Sequence, residues 1–303
     1  MSVGTNIRKY NDYHNPLFRS GDGILVYFGK YDISKITTGM IRDYLVHLDS
    51  NREKPLAGST KKKHVMVIRR VLGMAFEDND IDRLPDAPKI SSQDKPRVAF
   101  TDAQYKQFIK TGTACAKQGD VVSGVKIELD HIHMFKFVVH SFLRPTIGEL
   151  FGLRHKDITM KSDPTHLEMI VRKGKNGLRE SFTMPFAVLL YKSLSTNLFW
   201  KKPDTDEYVF MPKIEKRDYA RTVAGRMFKH IIKEANLDNE EDPLTTYSLR
   251  HYALQKRVRD SKSRVDRHVL AKNAGTSIEM LERHYLSRMA PSPEIIERFQ
   301  KDE

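Results

Sequence analysis

The sequence contains a single cysteine, Cys115, among 303 residues. One thiol cannot form an internal disulfide, which excludes the small disulfide-stapled folds and is typical of proteins from reducing compartments. No apolar run approaches the roughly 20 residues that a membrane-spanning helix needs. The N-terminal stretch MSVGTNIRKYNDYHN also lacks the apolar segment of a signal peptide. The sequence therefore predicts a cytoplasmic protein with no membrane partner.

Acidic residues are fewer than basic ones. The chain has 52 Lys and Arg against 39 Asp and Glu, a formal net charge of +13, and a pI near 9.6. Such an excess favours a polyanionic partner, above all nucleic acid. A basic protein of another kind, such as one associated with ribosomes, is the alternative that charge alone leaves open.

The turn-forming residues divide the chain into two blocks. Residues 1–92 show helical periodicity up to about Asp78, and the stretch DIDRLPDAPKISSQDKPRV that follows, residues 80–98, has the Pro, Asp and Ser content of a linker. Residues 93–303 are mostly helical, but HLEMIVRKGKNGLRESFTMP alternates as two short strands around a Gly-containing turn. We expect a small all-α domain, 1–92, and a larger α+β domain, 93–303. The fold class is thus mostly α with a small β-sheet.

Basic residues cluster in the first block, where the segment from Arg52 to Arg70 has seven Lys or Arg and one acid. Ser59 or Thr60 can cap a helix here, which would place three lysines in its first turn. The helix dipole disfavours cations at that end, so their presence suggests contact with phosphates. A solvated charged face is the alternative. The candidate DNA-binding residues are Lys61, Lys62, Lys63, Arg69 and Arg70.

Four segments of the second block carry candidate chemistry. In SFLRPTIGELFGLRHKDI, Pro145 ends a helix next to Arg144, whose guanidinium could grip a phosphate with two donors. In VRKGKNGLRESFTMP, Lys175 precedes Asn176-Gly177, a favourable hairpin-turn pair. An ordinary surface arginine and a solvated hairpin lysine are the alternatives.

The other two segments lie near the C-terminus. In LTTYSLRHYALQKRV, Thr245 or Thr246 can cap a helix on which Tyr247 and Arg250 share a face. The segment LAKNAGTSIEMLERHYLS contains Thr276 and Tyr285. No convincing metal site is recognised: in DHIHMFKFVVH, His131 and His133 are two residues apart on a predicted helix and so face different ways. We expect these histidines to be structural, with no metal and no cofactor.

Together, the order and spacing of these segments resemble the tyrosine recombinases, the phage-integrase family. The matching motifs are LRPTIGELFGLRHKDI, KNGLR, YSLRH and GTS…Y, with Tyr285 nine residues after Thr276. ISKITTGMIRDYLVHL and STKKKHVMVIRRVLGMAFEDNDIDRLP also resemble the family's helical core-binding domain, which is SAM-like. The resemblance spans about residues 30 to 290. Residues 1–30 are too short for the N-terminal arm-binding domain of many integrases.

The resemblance implies a role for each site residue. Tyr285 would be the nucleophile that forms a 3′-phosphotyrosine link, and Lys175 would be the general acid. The two arginines, Arg144 and Arg250, would grip the scissile phosphate. Tyr247 stands where the family usually has a histidine, and Thr276 stands where it usually has His or Trp. Both can donate a hydrogen bond to phosphate, but neither titrates near neutral pH. Lys175, His251 or His284 could carry the proton instead.

The resemblance also implies the partners. We expect a site-specific DNA recombinase, an integrase of a phage or mobile element, that binds double-stranded DNA and acts as a homo-tetramer on it, whether or not it is a monomer in solution. The need for accessory DNA-bending proteins is left open. A type IB topoisomerase-like enzyme and a catalytically weak DNA-binding relative are the alternatives. The apolar spacing after Pro291 predicts a final helix that packs on a neighbouring protomer or on its own domain.

Overall fold

The computed structural model describes residues 7–50, 52–91, 97–175, 177–194, 206–262 and 264–287, with 296, 297 and 300. The chain divides into two compact units, Met1–Lys95 and Pro96–Glu303. The expected boundary near residue 93 and most of the helix expected after Pro291 lie outside the described residues. No helix among those described has the length and apolarity that crossing a bilayer requires.

The N-terminal unit has helices joined by loops and no strand among its described residues. The helices are α1 (Ile7–Phe18), α2 (Ile24–Phe28), α3 (Thr38–Ser50) and α4 (Gly58–Glu77). On α3, the side chains of Ile41, Tyr44 and Leu48 are buried at helical spacing. They form one core with the buried apolar positions of α4. The Tyr44 hydroxyl lies 2.7 Å from His64 Nδ1, so the two buried polar groups satisfy each other.

The start of α4 differs from the prediction. Its N-cap is Ala57, which makes no side-chain cap, so the assignment of Ser59 or Thr60 as the cap is wrong. The Ala57 carbonyl already accepts the N–H groups of Thr60 and Lys61, at 2.8 and 3.1 Å, and this starts the helix earlier. Because α4 begins at Gly58, Lys61 is its fourth residue. The predicted conflict with the helix dipole is therefore smaller than expected.

The C-terminal unit is built around its second long helix. Its main helices are α5 (Asp102–Gln118), α6 (Leu129–Ser141), α7 (Phe186–Lys192), α8 (Arg217–Glu234), α9 (Thr246–Asp260) and α10 (Arg267–Ala274). The central helix, α6, buries residues on nearly all its faces, as its mostly apolar sequence requires. It packs against α5, α7 and α9. Thr101 caps α5 through Gln104, and Thr245, one of the two residues predicted as the cap, is the N-cap of α9.

The described strands form two small antiparallel sheets. The first is a hairpin of β1 (Val121–Val122) and β2 (Val125–Lys126), and the second has the order β3 (Ile158–Ser162), β4 (Thr165–Gly174), β5 (Gly177–Phe182). The alternation that predicted β4 is confirmed, since Leu167, Met169 and Val171 are buried. The sequence did not reveal β3, because its residues are mostly exposed and lack that alternation. The predicted fold class, mostly α with a small β-sheet, is confirmed.

The segment that contains Tyr285 does not form a regular α-helix. A helical turn at Ile278–Met280 runs directly into a π-helical segment, Leu281–Leu286. π-Helical turns are rare and often mark functional positions. Tyr285 lies in this one.

One buried and one partly buried histidine of the C-terminal unit predict acid sensitivity. Burial, with smaller effects of nearby cations, lowers the pKa of His140 and of His251 to about 4. Both rings are thus neutral in the folded protein, whereas an unfolded histidine binds a proton below about pH 6.5. The free energy of unfolding is highest above about pH 6.5 and falls as the pH drops toward 4. The loss between pH 7 and pH 5 is about 2 kcal/mol for each histidine.

Urea unfolding at pH 7 and pH 5 measures this loss. His251→Gln, which cannot titrate, should show a smaller loss of unfolding free energy than the unsubstituted chain. The exposed His268 offers a control, and His268→Gln should leave the loss unchanged. Equal losses in the unsubstituted chain and in His251→Gln would contradict the prediction.

Candidate active site

Arg144 lies just beyond the end of α6, where Phe142 adopts a left-handed conformation with φ 58°. Its side chain is almost fully buried. Its backbone N–H donates to Glu149 Oε2 at 2.9 Å. The guanidinium forms an ion pair with Glu149 and also donates to the Gly275 carbonyl. These contacts hold the arginine at the helix end predicted from Pro145.

Arg250 comes from the N-terminal half of α9 and is fully buried. Its Nη1 donates to the Phe142 carbonyl, and its Nη2 donates to the Ala274 carbonyl at 2.7 Å. Its Nε donates to the Tyr285 hydroxyl at 3.2 Å. One side chain thus joins the end of α6, the end of α10 and the predicted nucleophile.

Tyr285 is 8% exposed and packs on two residues of α9. Its ring centroid lies 4.4 Å from that of His251, with the rings tilted by 32°. Its backbone carbonyl accepts from Gln255 Nε2 at 2.7 Å. Nδ1 of His251 is buried and makes no hydrogen bond to the described residues. The His251 imidazole, which is neutral near pH 7 and whose Nδ1 has no hydrogen-bond partner among the described residues, therefore lies beside the Tyr285 ring.

Glu149 and Arg179 also belong to the site, and sequence reasoning did not select them. The Glu149 side chain has no exposed surface and accepts from Arg179 Nη2 at 2.9 Å as well as from Arg144. Burial lowers the pKa of Arg179, the charges of Arg250 and Arg144 lower it further, and Glu149 opposes them. Two of the three arginines thus share one carboxylate, and the three together with Glu149 carry two positive charges in excess. Glu149 lies in the motif LRPTIGELFGLRHKDI and Arg179 lies in KNGLR, so each was visible as a motif position without an assigned role.

Asn273 connects α10 to β5. Its Oδ1 accepts the Phe182 N–H at 2.8 Å, and its Nδ2 donates to the Phe182 carbonyl at 2.9 Å, so the amide pairs with β5 as another strand would. Two residues later, Gly275 has φ +66°, and a Cβ there would lie 2.4 Å from Arg179 Nε. A glycine is therefore needed where α10 meets the arginines.

Tyr247 and Thr276 lie at the edge of this arginine cluster (Arg144, Arg179 and Arg250). Tyr247 is half-buried, and the Arg97 guanidinium carbon lies 4.5 Å from its ring centroid. Burial raises the pKa of Tyr247, although Arg144 and Arg250 act in the opposite direction. Thr276 directly follows Gly275 and is half-buried, and its N–H donates to the Ala271 carbonyl at 2.9 Å.

Lys175 is not held in the cluster. It is exposed at the tip of the β4–β5 hairpin, and no hydrogen bond or ion pair joins it to the other described residues. The backbone next to Lys175 lies beside the site, because a Cβ built on Gly174, which immediately precedes it and pairs with Gly177 at the turn, would be 3.8 Å from Glu149 Oε1. The turn thus places Lys175 near the arginine cluster while its side chain stays exposed.

The basic candidates of α4 are divided in their contacts. Lys61 forms an ion pair with Asp49, and Lys63 Nζ lies 2.7 Å from Asp12 Oδ1. Lys62, Arg69 and Arg70 are exposed. Phosphate contacts by Lys61 or Lys63 would have to replace these ion pairs.

The histidines of α6 make structural contacts. His131 Nδ1 accepts the Glu128 N–H at 2.9 Å, and His133 Nδ1 lies 3.2 Å from the Ser193 hydroxyl. Burial lowers the pKa of both rings, which are therefore neutral near pH 7.

Three solved structures share this fold. A lambda integrase dimer bound to a COC′ core site superimposes with a TM-score of 0.69 at 14% identity, covering 95% of this chain and 91% of that one. The lambda integrase tetramer bound to a Holliday junction gives 0.62 at 14%, covering 91% and 70%. The Tn1549 transposon integrase with a circular intermediate DNA gives 0.58 at 17%, covering 89% and 86%.

Comparison of the sequence with curated proteins and with family models identifies the family. No curated protein sequence matches the chain. The model of the phage integrase family matches residues 99–289, which is more than half of the chain and includes Arg144, Arg250 and Tyr285. The chain therefore belongs to the phage integrase family, the tyrosine recombinases.

Proposed function

We propose that the protein is a site-specific DNA recombinase that cuts and rejoins DNA through a 3′-phosphotyrosine intermediate on Tyr285. One observation carries this proposal: the Tyr285 hydroxyl accepts a hydrogen bond from the buried Arg250, 3.2 Å away. A nucleophile in contact with an arginine that is always charged is the arrangement that attack on a phosphodiester requires. The neighbouring Arg144 and Arg179 extend the same positive environment.

The reaction exchanges one phosphate ester bond for another. The Tyr285 oxygen forms a bond to phosphorus while the bond from phosphorus to the 5′-oxygen breaks, and the 5′-oxygen takes up a proton. Attack by a 5′-hydroxyl reverses the step and rejoins a strand, so no ATP is required. Arg144 and Arg250 would stabilise the charge that develops on the non-bridging oxygens.

Proton transfer must involve groups other than the usual histidines. We assign the 5′-oxygen proton to Lys175, because its place at a free hairpin tip lets it reach a bound duplex. His251 is neutral near pH 7 and lies against the Tyr285 ring, so we assign it as the acceptor of the tyrosine proton, with its lowered pKa making it a weak base. The hydroxyls of Tyr247 and Thr276 would donate hydrogen bonds to phosphate oxygens.

Binding of DNA would have to move the tyrosine. Arg250 has no exposed surface, and Tyr285 covers its Nε. A phosphate can reach Arg250 only if the π-helical segment Leu281–Leu286 shifts. Of the five N–H groups of Arg144, the described contacts use two, so the others can bind an anion without loss of the ion pair to Glu149.

The partners follow from charge and from the relatives. We infer that residues 1–92 form a core-type DNA-binding domain and that 93–303 form the catalytic domain, acting together on double-stranded DNA in the cytoplasm. The net charge of +13 supports a polyanionic partner. A tetramer on DNA is supported by the lambda integrase tetramer on a Holliday junction, which has the same fold.

The alternatives differ in their products. A type IB topoisomerase-like enzyme would relax supercoiled plasmid without recombining it, and a weak DNA-binding relative would form no covalent adduct. The substitutions at the usual histidine positions favour the second of these. The contact between Tyr285 and Arg250 favours an active enzyme.

Tyr285→Phe should abolish the covalent protein–DNA adduct and leave DNA affinity within about twofold, because only one hydroxyl is removed. The substrates are nicked duplexes selected from a random library by binding to the unsubstituted protein, and adducts are counted on denaturing gels. Tyr252→Phe is the matched control, since its buried hydroxyl also makes one hydrogen bond, to Asp102 Oδ1 at 2.9 Å. Adduct formation by Tyr285→Phe would place the nucleophile elsewhere.

Alanine at Lys61, Lys62 and Lys63 should weaken DNA binding and flatten its salt dependence. The log–log slope should fall by about 0.9 for each phosphate that the protein no longer neutralises, and so by up to about 2.7 for three phosphates. Affinity measured from 50 to 200 mM salt gives the slope. Alanine at the exposed Lys213, Lys229 and Lys233 removes the same charge from the C-terminal unit. If both triple variants change the slope equally, the effect is one of net charge and not of the cluster.

A further inference from the structure

Three ligand-type side chains meet away from the arginine cluster. Cys115 lies in the last turn of α5, Asp120 follows the left-handed Gly119 that ends this helix, and His230 lies on α8. The cysteine sulfur, a carboxylate oxygen and an imidazole nitrogen all lie within 4.8 Å of one another. His230 Nε2 is 2.8 Å from Asp120 Oδ2.

The geometry points to a metal site: we propose that Cys115, Asp120 and His230 bind a divalent cation of the zinc class, as a site that stabilises the C-terminal unit. Zinc prefers tetrahedral coordination by sulfur, nitrogen and oxygen, with Zn–S distances of about 2.3 Å and Zn–N and Zn–O distances of about 2.0–2.2 Å. Those bonds place ligand atoms roughly 3.3–3.7 Å apart. In this structure His230 Nε2 and Asp120 Oδ2 are 2.8 Å apart, and all three ligand atoms lie within 4.8 Å of one another. These distances lie on either side of the range that zinc requires.

The surroundings provide an entry path and a fourth ligand. The Asp120 and His230 side chains are about one quarter exposed, at 25% and 30%, so a cation and a water molecule can reach the buried sulfur. Glu234 lies one turn beyond His230 on α8, and its charge contributes to the raised pKa of Cys115. That negative charge favours a cation nearby, and a water molecule would supply the fourth ligand. Lys126, which lies against Gly119, opposes a cation, but it is exposed and flexible.

The protonation chemistry also fits. Burial, together with Asp120 and Glu234, raises the pKa of the Cys115 thiol to about 11, so the thiol is protonated and unreactive without a metal. A bound dication would displace the thiol proton. The sulfur then becomes a thiolate ligand, and the proton passes to solvent.

The site would link the C-terminal end of α5 to α8, which pack on each other. It shares no residue with the arginine cluster, so the transesterification would not use the metal. Sequence inspection did not find it because His230 lies 110 residues after Asp120.

Cobalt titration tests the proposal. Untagged full-length protein, freed of metal by a chelator, is titrated with Co²⁺ under reducing conditions. We expect one equivalent to bind, with thiolate-to-cobalt charge-transfer absorption in the near ultraviolet and the visible bands of a tetrahedral site, and Zn²⁺ should bleach both. Zn²⁺ should also raise the thermal unfolding midpoint.

Variants assign the ligands. Cys115→Ser should lose the charge-transfer band, and His230→Gln, at a partly exposed position, should lose the one-equivalent binding and the thermal shift without unfolding the chain. His268→Gln should behave as the unsubstituted protein does. An absence of saturable cobalt binding would overturn the proposal and leave a hydrogen-bonded trio only. A charge-transfer band that persists in Cys115→Ser would overturn it equally.

Discussion

The buried carboxylate of Glu149 is the interaction on which the site depends. It receives the Arg144 backbone N–H and the guanidinium groups of both Arg144 and Arg179. Removing one partner of a buried ion pair typically costs about 3–5 kcal/mol, because the other charge is left uncompensated. Here the loss would leave three arginines in mutual repulsion. The carboxylate thus makes the cluster possible, yet one negative charge is too few to neutralise it.

Carbonyl groups at two helix ends help to balance the remaining positive charge of the arginines. Arg250 donates to the carbonyls of Phe142 and Ala274, and Arg144 donates to that of Gly275. These carbonyls close the C-terminal ends of α6 and α10, where the helix dipole is negative. The guanidinium groups are therefore held in place before any anion arrives. Preorganised charge of this kind is what stabilises a phosphoryl transition state most effectively.

The sequence predicted those parts of the fold and site that depend on local signals. The cap at Thr245, the alternation of β4 and the motifs of Arg144, Arg250 and Tyr285 were all readable. Glu149 lies only five residues from Arg144, but its second arginine is 30 positions away, and Asn273 pairs with a residue 91 positions away, so neither was selected. The α4 cap was wrong because a backbone carbonyl, rather than a hydroxyl, begins the helix. The ion pairs of Lys61 and Lys63 are likewise tertiary, and no spacing rule reveals them.

The central claim is that Tyr285 attacks phosphorus. Peptide mapping of the adduct tests it most directly: suicide duplexes, nicked in turn at each position of a selected binding site, are incubated with the unsubstituted protein. The covalent complex is then digested with protease and nuclease, and the peptides are sequenced by mass spectrometry. The account predicts a phosphonucleotide on Tyr285, with a free 5′-hydroxyl on the released strand. A modified Tyr247 or Tyr252, or a free 5′-phosphate, would contradict it.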